Sequence, residues 1–148
     1  MSDLIFQKMT IEDVGAYLAL EKKVIHLQVY SGIANRDEAI EEMEQNEVHL
    51  IKKDGAVIGS TEYQIQGPEC AYMSGLVIDP DFQDQGLARK AIEFRLDRLK
   101  DMKRIYLVTH PHNSKVIHMY LSYGFIIESW KDDHFGDGEP RIVLALNR

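Results

Sequence analysis

The sequence has 148 residues, of which 45% are hydrophobic and 28% are charged. This is the ordinary balance of a folded globular domain, and it excludes the disordered and fibrous classes of protein. Lysine and arginine number 17 against 24 aspartate and glutamate residues, which gives a net charge of −7. A net-acidic domain is a poor candidate for binding nucleic acid, and it suits a cationic small substrate. Because Cys70 is the only cysteine, we expect neither an intrachain disulfide nor a cysteine-based metal site.

The chain shows no sign of targeting or membrane insertion. Its start, Met1–Leu4, lacks the basic and apolar regions of a signal peptide. No apolar run approaches the roughly 18 residues that a membrane span needs. Repeats, low-complexity tracts and linkers are also absent from the sequence. We therefore expect a single cytoplasmic domain over residues 1–148, with no membrane or nucleic-acid partner.

The first half of the chain predicts a strand, two helices and a three-strand meander. Thr10 followed by acids at 12 and 13 indicates a helix start, and Lys53-Asp54-Gly55 is typical of a hairpin turn. In chain order we expect a strand at Leu4–Phe6, a helix from Thr10 to about Lys23, an irregular stretch from Gln28 to Asn35, a helix capped by Asn35 or Asp37 that ends near Gln45, and strands at Val48–Ile51, Ala56–Gln66 and Ala71–Ile78.

The second half alternates strands with helices. From Gly86 to Lys100 apolar residues recur at helical spacing, which predicts a helix with a basic outer face. The remaining predicted elements are a buried strand at Ile105–Val108, a helix from Asn113 to Tyr123 stopped by Gly124, and strands at Phe125–Trp130 and Arg141–Leu146 joined by the polar loop Lys131–Pro140. This order of elements predicts a mixed α/β domain of three layers.

The most specific segment is the hexapeptide Gln83–Ala88, which joins the strand ending at Ile78 to the following helix. Free N–H groups at a helix start bind anions such as a pyrophosphate. Gly86 permits a tight turn, and Ala88 keeps side-chain bulk away. The segment matches neither a Walker loop nor a dinucleotide fingerprint. On the hexapeptide alone, a plain strand-to-helix turn remains the alternative.

Two sequence blocks resemble the GCN5-related N-acetyltransferase (GNAT) superfamily. The first is the family's acetyl-CoA loop, Gln/Arg-x-x-Gly-x-Gly/Ala, matched by Gln83, Gly86 and Ala88 after the strand signature Leu76–Pro80. The second resembles the family helix Asn-x-x-Ala-x-x-x-Tyr-x-x-x-Gly-Phe and runs from Asn113 through Tyr120 to Phe125, with Val116 in place of alanine. The two blocks together cover Leu76 to Phe125.

The resemblance implies a three-layer α/β/α fold whose central mixed, mostly antiparallel sheet has a splayed strand pair that receives acetyl-CoA. In the implied roles, the pantetheine arm pairs with the main chain of Leu76, Val77 and Ile78, and Asn113 forms a hydrogen bond with the same region. The pyrophosphate loop consists of Gln83, Asp84, Gln85, Gly86, Leu87, Ala88 and Arg89. The 3′-phosphate contacts Lys115 or Arg89, and Tyr120 protonates the leaving thiolate. A strand bulge would aim an N–H at the thioester carbonyl.

The general base does not carry over from the family. Ribosomal-type relatives have a glutamate where this chain has Val108, and histone-type relatives have one where gapless counting finds Tyr72. Because an ammonium has no lone pair, the acceptor amine must lose a proton before it attacks. The open alternatives are Glu62, Glu128, Asp132, Asp133, His134 or a water relay to solvent.

The expected activity is direct transfer of an acetyl group from acetyl-CoA to a primary amine of a small molecule or peptide, cationic acceptors included. The loop Asp132–Pro140 and the stretch Tyr30–Asn35 correspond to the family's acceptor walls. The alternative is a CoA-binding sensor or interaction module without turnover. We expect no metal, since His110-Pro111-His112 lacks a matching carboxylate cluster, and the family is compatible with a homodimer.

Overall fold

A computed structural model describes residues 4–24 and 33–148. The strands are β1 (Leu4–Lys8), β2 (Glu47–Lys53), β3 (Ala56–Ile65), β4 (Cys70–Ile78), β5 (Arg104–Thr109), β6 (Ile126–Lys131) and β7 (Arg141–Asn147). The helices are α1 (Val14–Lys22), α2 (Arg36–Gln45), α3 (Leu87–Arg98) and α4 (Ser114–Ser122). The strands form one sheet in the order β1-β2-β3-β4-β5-β7-β6. Among the described strands, β4 and β5 form the parallel pair and the others are antiparallel.

The helices in the first half begin where local hydrogen bonding favours a start. The Thr10 N–H donates to the Asp13 carboxylate at 2.9 Å, and a single 3-10 turn over Ile11–Asp13 leads into α1. The Asn35 side chain accepts a hydrogen bond from the Glu38 N–H at 2.9 Å, which satisfies a free donor of the first turn of α2. Asn35 is therefore the cap of this helix, and Asp37 lies within its first turn.

The predicted hairpin between β2 and β3 is present. Asp54 and Gly55 both have positive φ, 53° and 85°, which is the backbone of a two-residue turn that matches the twist of its strands. The predicted irregular stretch Gln28–Asn35 falls mostly outside the described residues, which resume at Ile33.

The helices cover the two faces of the sheet and make three layers. Neighbouring residues of β2 show the division, because Leu50 packs under α1 and α2 with Tyr17 and Ala39, whereas Ile51 packs under α3 with Ala91. On the α3 side a further core cluster joins α3 and α4 to β4, β5 and β7. In the described part of the chain, no helix is both long and apolar enough to cross a bilayer.

The sheet divides between β4 and β5. Their pairing covers Cys70–Tyr72 and Arg104–Tyr106 and goes no further, so the two strands diverge over Met73–Ile78. In the same region β4 carries an extra residue, because Glu62 pairs with Gly75 while Gln64 pairs with Tyr72. This is a β-bulge, which bends a strand and strengthens its twist. The splayed strand pair and the bulged strand expected from the sequence are therefore both present.

The close packing of β3 on β4 gives the first prediction. A Cβ on Gly59 would stand 2.8 Å from the Val77 carbonyl oxygen of the backbone, whereas one on Gly15 would meet nothing within 4 Å. We expect Gly59→Ala to lower the free energy of unfolding by about 1–3 kcal/mol, as overpacking does. Denaturant unfolding measures the change.

Gly15→Ala is the matched control, because it adds the same methyl group on an exposed helical position. It should leave the free energy of unfolding unchanged or raise it by up to about 1 kcal/mol. Equal effects of the two substitutions would contradict the packing described for β3 and β4.

Candidate active site

The divergence of β4 from β5 opens a cavity of about 610 Å³, within the size range of small-molecule sites. Its walls come from β4, the loop after it, the first turn of α3, the end of β5, and α4. The sequence-predicted residues that line it are Leu76, Val77, Ile78, Gln83, Asp84, Gly86, Leu87, Ala88, Arg89, Asn113, Lys115 and Tyr120. The fold thus brings both sequence blocks to one cavity.

The loop before α3 has the backbone of an anion-binding turn. Asp84 and Gly86 both have positive φ, 64° and 77°. Because a Cβ on Gly86 would meet nothing within 4 Å, the left-handed backbone rather than lack of space favours glycine there. Gly86 is the N-cap of α3, and the first N–H groups of a helix have no partner within the helix. They are available to an anion in the cavity.

The two glutamines of the loop have different positions. Gln83 lines the cavity, and its Nε2 donates to the Ile78 carbonyl at 3.4 Å, which ties the loop to the end of β4. Gln85 does not line the cavity, and its Oε1 accepts from Lys53 Nζ at 3.3 Å. A role for Gln85 in this loop would therefore come from its backbone.

Helix α4 contributes the second wall. Asn113 is its N-cap, and the Asn113 side chain donates from Nδ2 to Thr109 Oγ1 at 3.2 Å. In the first turn of α4, Lys115 forms an ion pair with Asp84 of the loop. A phosphate that binds Lys115 would therefore compete with the Asp84 carboxylate. Arg89 instead donates to the Tyr123 hydroxyl at 3.2 Å.

Tyr120 is buried, with 3% of its surface exposed, and its ring packs edge-on against Phe125 with centroids 5.3 Å apart. Its hydroxyl accepts a hydrogen bond of 2.5 Å from Nη2 of Arg95, and both residues line the cavity. The tyrosine is thus held at the ring by packing and at the hydroxyl by a buried guanidinium.

A group of carboxylates lines the cavity on the α1 and α2 side: Glu21, Glu42 and Glu62. Glu62 on β3 is 4% exposed. Its Oε2 accepts from the Tyr17 hydroxyl at 2.9 Å, and its Oε1 has no hydrogen-bond partner among the described residues. The carboxylate also packs closely against the bulged strand, because a Cβ on Gly75 would stand 2.9 Å from Oε2.

Two of the three carboxylates, Glu21 and Glu62, hold protons more tightly than free carboxylates do. Burial, and next to it the charge of Glu42, raises the pKa of Glu62 well above its ordinary value. Burial likewise raises the pKa of Glu21 to about 7, against a backbone hydrogen bond from Ile33 that lowers it. Tyr17 follows the same pattern, with its pKa raised by burial and by the neighbouring charges of Glu62 and Glu21. Among the described residues, no neighbouring cation is a main cause of these shifts, so this side of the cavity would favour a cation.

The other base candidates from the sequence do not line this cavity. Arg104 holds Glu128 with two hydrogen bonds of 2.7 and 2.8 Å, and this contact lowers the pKa of Glu128. Asp132 accepts from the Trp130 indole, and Asp133 accepts from the Gly138 N–H. His134 packs against Phe135. Of the six alternatives that the sequence left open, Glu62 is the side chain that the fold brings to Tyr120 and β4.

The expected acceptor walls contribute two cavity residues, Ile33 and Phe135, and Arg141 at the start of β7 lines the cavity beside them. Arg141 is 2% exposed and donates to Asp137 at 2.8 Å, with its guanidinium 5.1 Å from the Phe135 ring centroid. This contact fixes the loop before β7 at the cavity. Residues 30–32 of the other expected wall lie outside the described residues.

The histidine pair that resembles a metal motif is internally bonded. His110 is fully buried, and its Nδ1 accepts from the His112 N–H at 3.0 Å. Burial, followed by the charge of Arg141, lowers the pKa of His110. Within residues 4–24 and 33–148, no three metal-ligating side chains gather in one place.

Sequence reasoning missed the polar residues that the helices and the last strand bring to the cavity: Tyr17, Glu21, Glu42, Arg95 and Arg141. The expectation of a basic outer face on α3 is wrong for Arg95, which is 1% exposed. A signal was available, because Arg95 lies four residues after Ala91 and four before Leu99, on the same helical face as these buried residues. Tyr17 and Glu21 are likewise four residues apart, beside the buried Leu20.

Residues 19–125 match the model of the acetyltransferase (GNAT) family. The spermidine N(1)-acetyltransferase of Escherichia coli K12 is 32% identical over 75 residues, 48% of this chain and 40% of that protein. The ribosomal protein bS18-alanine N-acetyltransferase of the same strain is 31% identical over 81 residues, 51% of this chain and 55% of that protein. The matches thus span about half the length of these curated relatives or less.

Solved structures share the fold along the whole chain. The ribosomal-protein-S18-alanine N-acetyltransferase from Escherichia coli superposes with a TM-score of 0.81 at 20% identity, covering 99% of this chain and 94% of that chain. Ard1 from Thermoplasma volcanium gives a TM-score of 0.83 at 15% identity, covering 97% of each chain. At these identities the likeness establishes the architecture, a central sheet between layers of helices.

The raised pKa of Glu21 gives a prediction for stability against pH. Because its folded-state pKa of about 7 lies above the ordinary 4.5, the folded protein keeps a proton that the unfolded chain releases between these values. This contribution to stability is present below pH 4.5 and is lost as pH rises through 7. Because glutamine cannot ionise, we expect the free energy of unfolding of Glu21→Gln to fall less over this pH range than that of the wild type, by up to about 3 kcal/mol.

Denaturant unfolding of the wild type and Glu21→Gln across this pH range measures the difference. The control is Glu12→Gln, which removes an exposed carboxylate outside the cavity and should leave the decline unchanged. If the free energy of unfolding of Glu21→Gln falls with pH as much as that of the wild type, the result would contradict the buried position of Glu21.

Proposed function

Because this chain belongs to the acetyltransferase (GNAT) family, we propose that it transfers the acetyl group of acetyl-CoA directly to a primary amine. One observation carries the proposal: the cavity between the splayed strands holds both sequence blocks, a buried tyrosine and a buried carboxylate. Direct transfer needs a group that takes the proton of the amine and a group that supplies one to the sulfur. Among the residues that line the cavity, Glu62 and Tyr120 are our candidates for these two groups.

The splayed strand would hold the co-substrate. Between Met73 and Ile78, β4 makes no ladder hydrogen bonds with β5, so peptide groups on this edge could pair with the amides of the pantetheine arm as an added strand would. The pyrophosphate would lie at the start of α3, against the backbone of Gly86 to Arg89. Asn113 on α4 borders the same channel.

Tyr120 would act as the general acid. When the amine nitrogen bonds to the acetyl carbonyl carbon and the C–S bond breaks, the sulfur keeps the bonding electron pair and needs a proton. A phenol suits this donation because phenols and thiols have similar ordinary pKa values. The packing of Tyr120 against Phe125 and its hydrogen bond from Arg95 would keep the hydroxyl in one place.

Glu62 would act as the general base. A carboxylate with an ordinary pKa is a weak base towards an ammonium, and burial that raises the pKa of Glu62 narrows that gap. Its Oε1 has no hydrogen-bond partner among the described residues and can receive the proton of the acceptor. The carboxylate lies close to Gly75 beside the β4 bulge, so a base at this position would be next to the strand that would carry the thioester.

The acceptor would be a cationic amine. Glu21 and Glu42 line the cavity with Glu62, and burial raises the pKa of Glu21 and of Glu62 with no cation among the main causes in the described part of the chain. A second ammonium on the acceptor would supply one and would be bound best where the carboxylates are least exposed to water. The relative named spermidine N(1)-acetyltransferase is consistent with an acceptor of this chemistry.

Thiol release from acetyl-CoA in the presence of paired amines tests the activity. We expect diaminobutane to be acetylated with a kcat/KM at least about 10-fold above that of butylamine, because only the diamine keeps a cation for the acidic wall. Tyr120→Phe should lower kcat by about 10²-fold or more with either amine, the usual contribution of a general acid.

Tyr106→Phe is the matched control for Tyr120→Phe. It removes the same atom from a tyrosine outside the cavity, whose hydroxyl donates to Gln66 at 2.7 Å, and should leave kcat unchanged. Binding of acetyl-CoA without thiol release across primary amines would favour a CoA-binding module instead. If Tyr120→Phe releases thiol from acetyl-CoA as fast as the wild type does, Tyr120 is not the general acid, although the protein is still an acetyltransferase.

Replacement of the proposed base should have an effect that depends on pH. We expect Glu62→Gln to lower kcat/KM at neutral pH by about 10²-fold, because the amide cannot accept a proton from the acceptor. The loss should shrink as pH approaches the pKa of the amine, where the acceptor enters already neutral. Initial rates over this range of pH measure both effects.

Glu128→Gln is the control for Glu62→Gln, since it removes a surface carboxylate that Arg104 holds, and its rates should follow the wild type. A pH-independent loss in Glu62→Gln would indicate that Glu62 supports the structure of the site and does not accept the proton.

A further inference from the structure

Arg95 is a buried cation whose partners carry no formal charge. It is 1% exposed and donates to three oxygen atoms: the Glu62 carbonyl at 3.2 Å, the Gly75 carbonyl at 3.2 Å and the Tyr120 hydroxyl at 2.5 Å. Among the described residues, no carboxylate oxygen lies within 4 Å of its guanidinium. A buried charge without an opposite charge is costly, and an apolar side chain of similar length would pack in its place without that cost.

The three acceptors belong to three different elements of the site. Glu62 on β3 and Gly75 on β4 are direct cross-strand partners beside the bulge, and Tyr120 is on α4. The planar guanidinium presents its donors in a fixed arrangement. One side chain therefore sets the position of the tyrosine hydroxyl relative to the bulged strand.

The chemistry of the guanidinium fixes the direction of the hydrogen bond to Tyr120. Arginine has five N–H donors and no acceptor, and it stays charged at any pH that a folded protein meets. The Tyr120 oxygen must therefore accept, which leaves the phenol proton free to be donated elsewhere. If the phenol gives up that proton, the same hydrogen bond joins two opposite charges and becomes stronger.

We propose that Arg95 is a positioning residue for Tyr120: it directs the phenol proton into the cavity and stabilises the phenolate that proton transfer produces. The proposal rests on the proposed function, in which Tyr120 is the acid. In the step concerned, the C–S bond breaks, the sulfur takes the electron pair, and the proton moves from the Tyr120 oxygen to the sulfur. The phenolate then regains a proton from solvent, and the proton that the amine lost leaves from Glu62.

A double-mutant cycle tests the proposal with acetyl-CoA and diaminobutane. We expect Arg95→Gln to lower kcat by about 10-fold in the wild-type background, with the KM for acetyl-CoA within about twofold, because the effect falls on proton transfer and not on binding. In the Tyr120→Phe background, Arg95→Gln should lower kcat by less than about twofold. Arg98→Gln is the control, since Arg98 lies on the same helix and donates to the Tyr63 hydroxyl at 2.8 Å outside the cavity.

An equal loss of kcat in both backgrounds would overturn the proposal and assign Arg95 a purely structural role. An unchanged kcat in Arg95→Gln alone would also overturn it. If Tyr120→Phe alone has no effect on kcat, the acid role itself fails, and that result is visible before the cycle is closed. Should Arg95→Gln unfold at the assay temperature, Arg95→Lys takes its place, because lysine keeps the charge but lacks the planar fork.

Discussion

The end of pairing between β4 and β5 is the constraint on which the rest of the site depends. Backbone N–H and C=O groups inside a protein require hydrogen-bond partners, and the inner edge of β4 beyond Tyr72 has none from β5. Pairing with β3 on the other side continues to Ile78 and keeps β4 in the sheet, while Arg95 and Gln83 bind the carbonyls of Gly75 and Ile78. The opening that remains would suit a ligand that carries amides along its length.

The bulge next to this opening has its own supports on both faces. Arg95 binds the carbonyls of Glu62 and Gly75 from within the core, and the Glu62 carboxylate lies against the Gly75 backbone. Glycine at this point is a requirement of close approach, since a side chain would displace the carboxylate. The strand irregularity and the two ionisable groups beside it are thus parts of one packed unit.

The sequence predicted what local patterns encode. Hydrophobic periodicity located each strand and helix, and the two glycine-containing blocks identified the loop at Gly86 and the helix of Tyr120. The proposed proton acceptor could not be chosen in this way, because Glu62 becomes distinctive only through burial and through the neighbouring Tyr17, Glu21 and Glu42 from other parts of the chain. Arg95 was missed for a related reason: its place on an apolar helical face was visible, but the oxygens that hold it come from three elements distant in sequence.

The cavity separates opposite electrostatic environments over one short stretch of sheet. On the α1 and α2 side, burial, and next to it the charge of Glu42, raises the pKa of Glu62, which favours uptake of a proton. On the α3 side, the buried guanidinium of Arg95 donates to the Tyr120 hydroxyl, which leaves the phenol proton free to be donated elsewhere. Because Arg95 also binds the Glu62 carbonyl, a single side chain joins the two environments. The proposed reaction, which removes a proton at nitrogen and delivers one at sulfur, would use this polarity and would account for buried charges that only cost stability in an ordinary core.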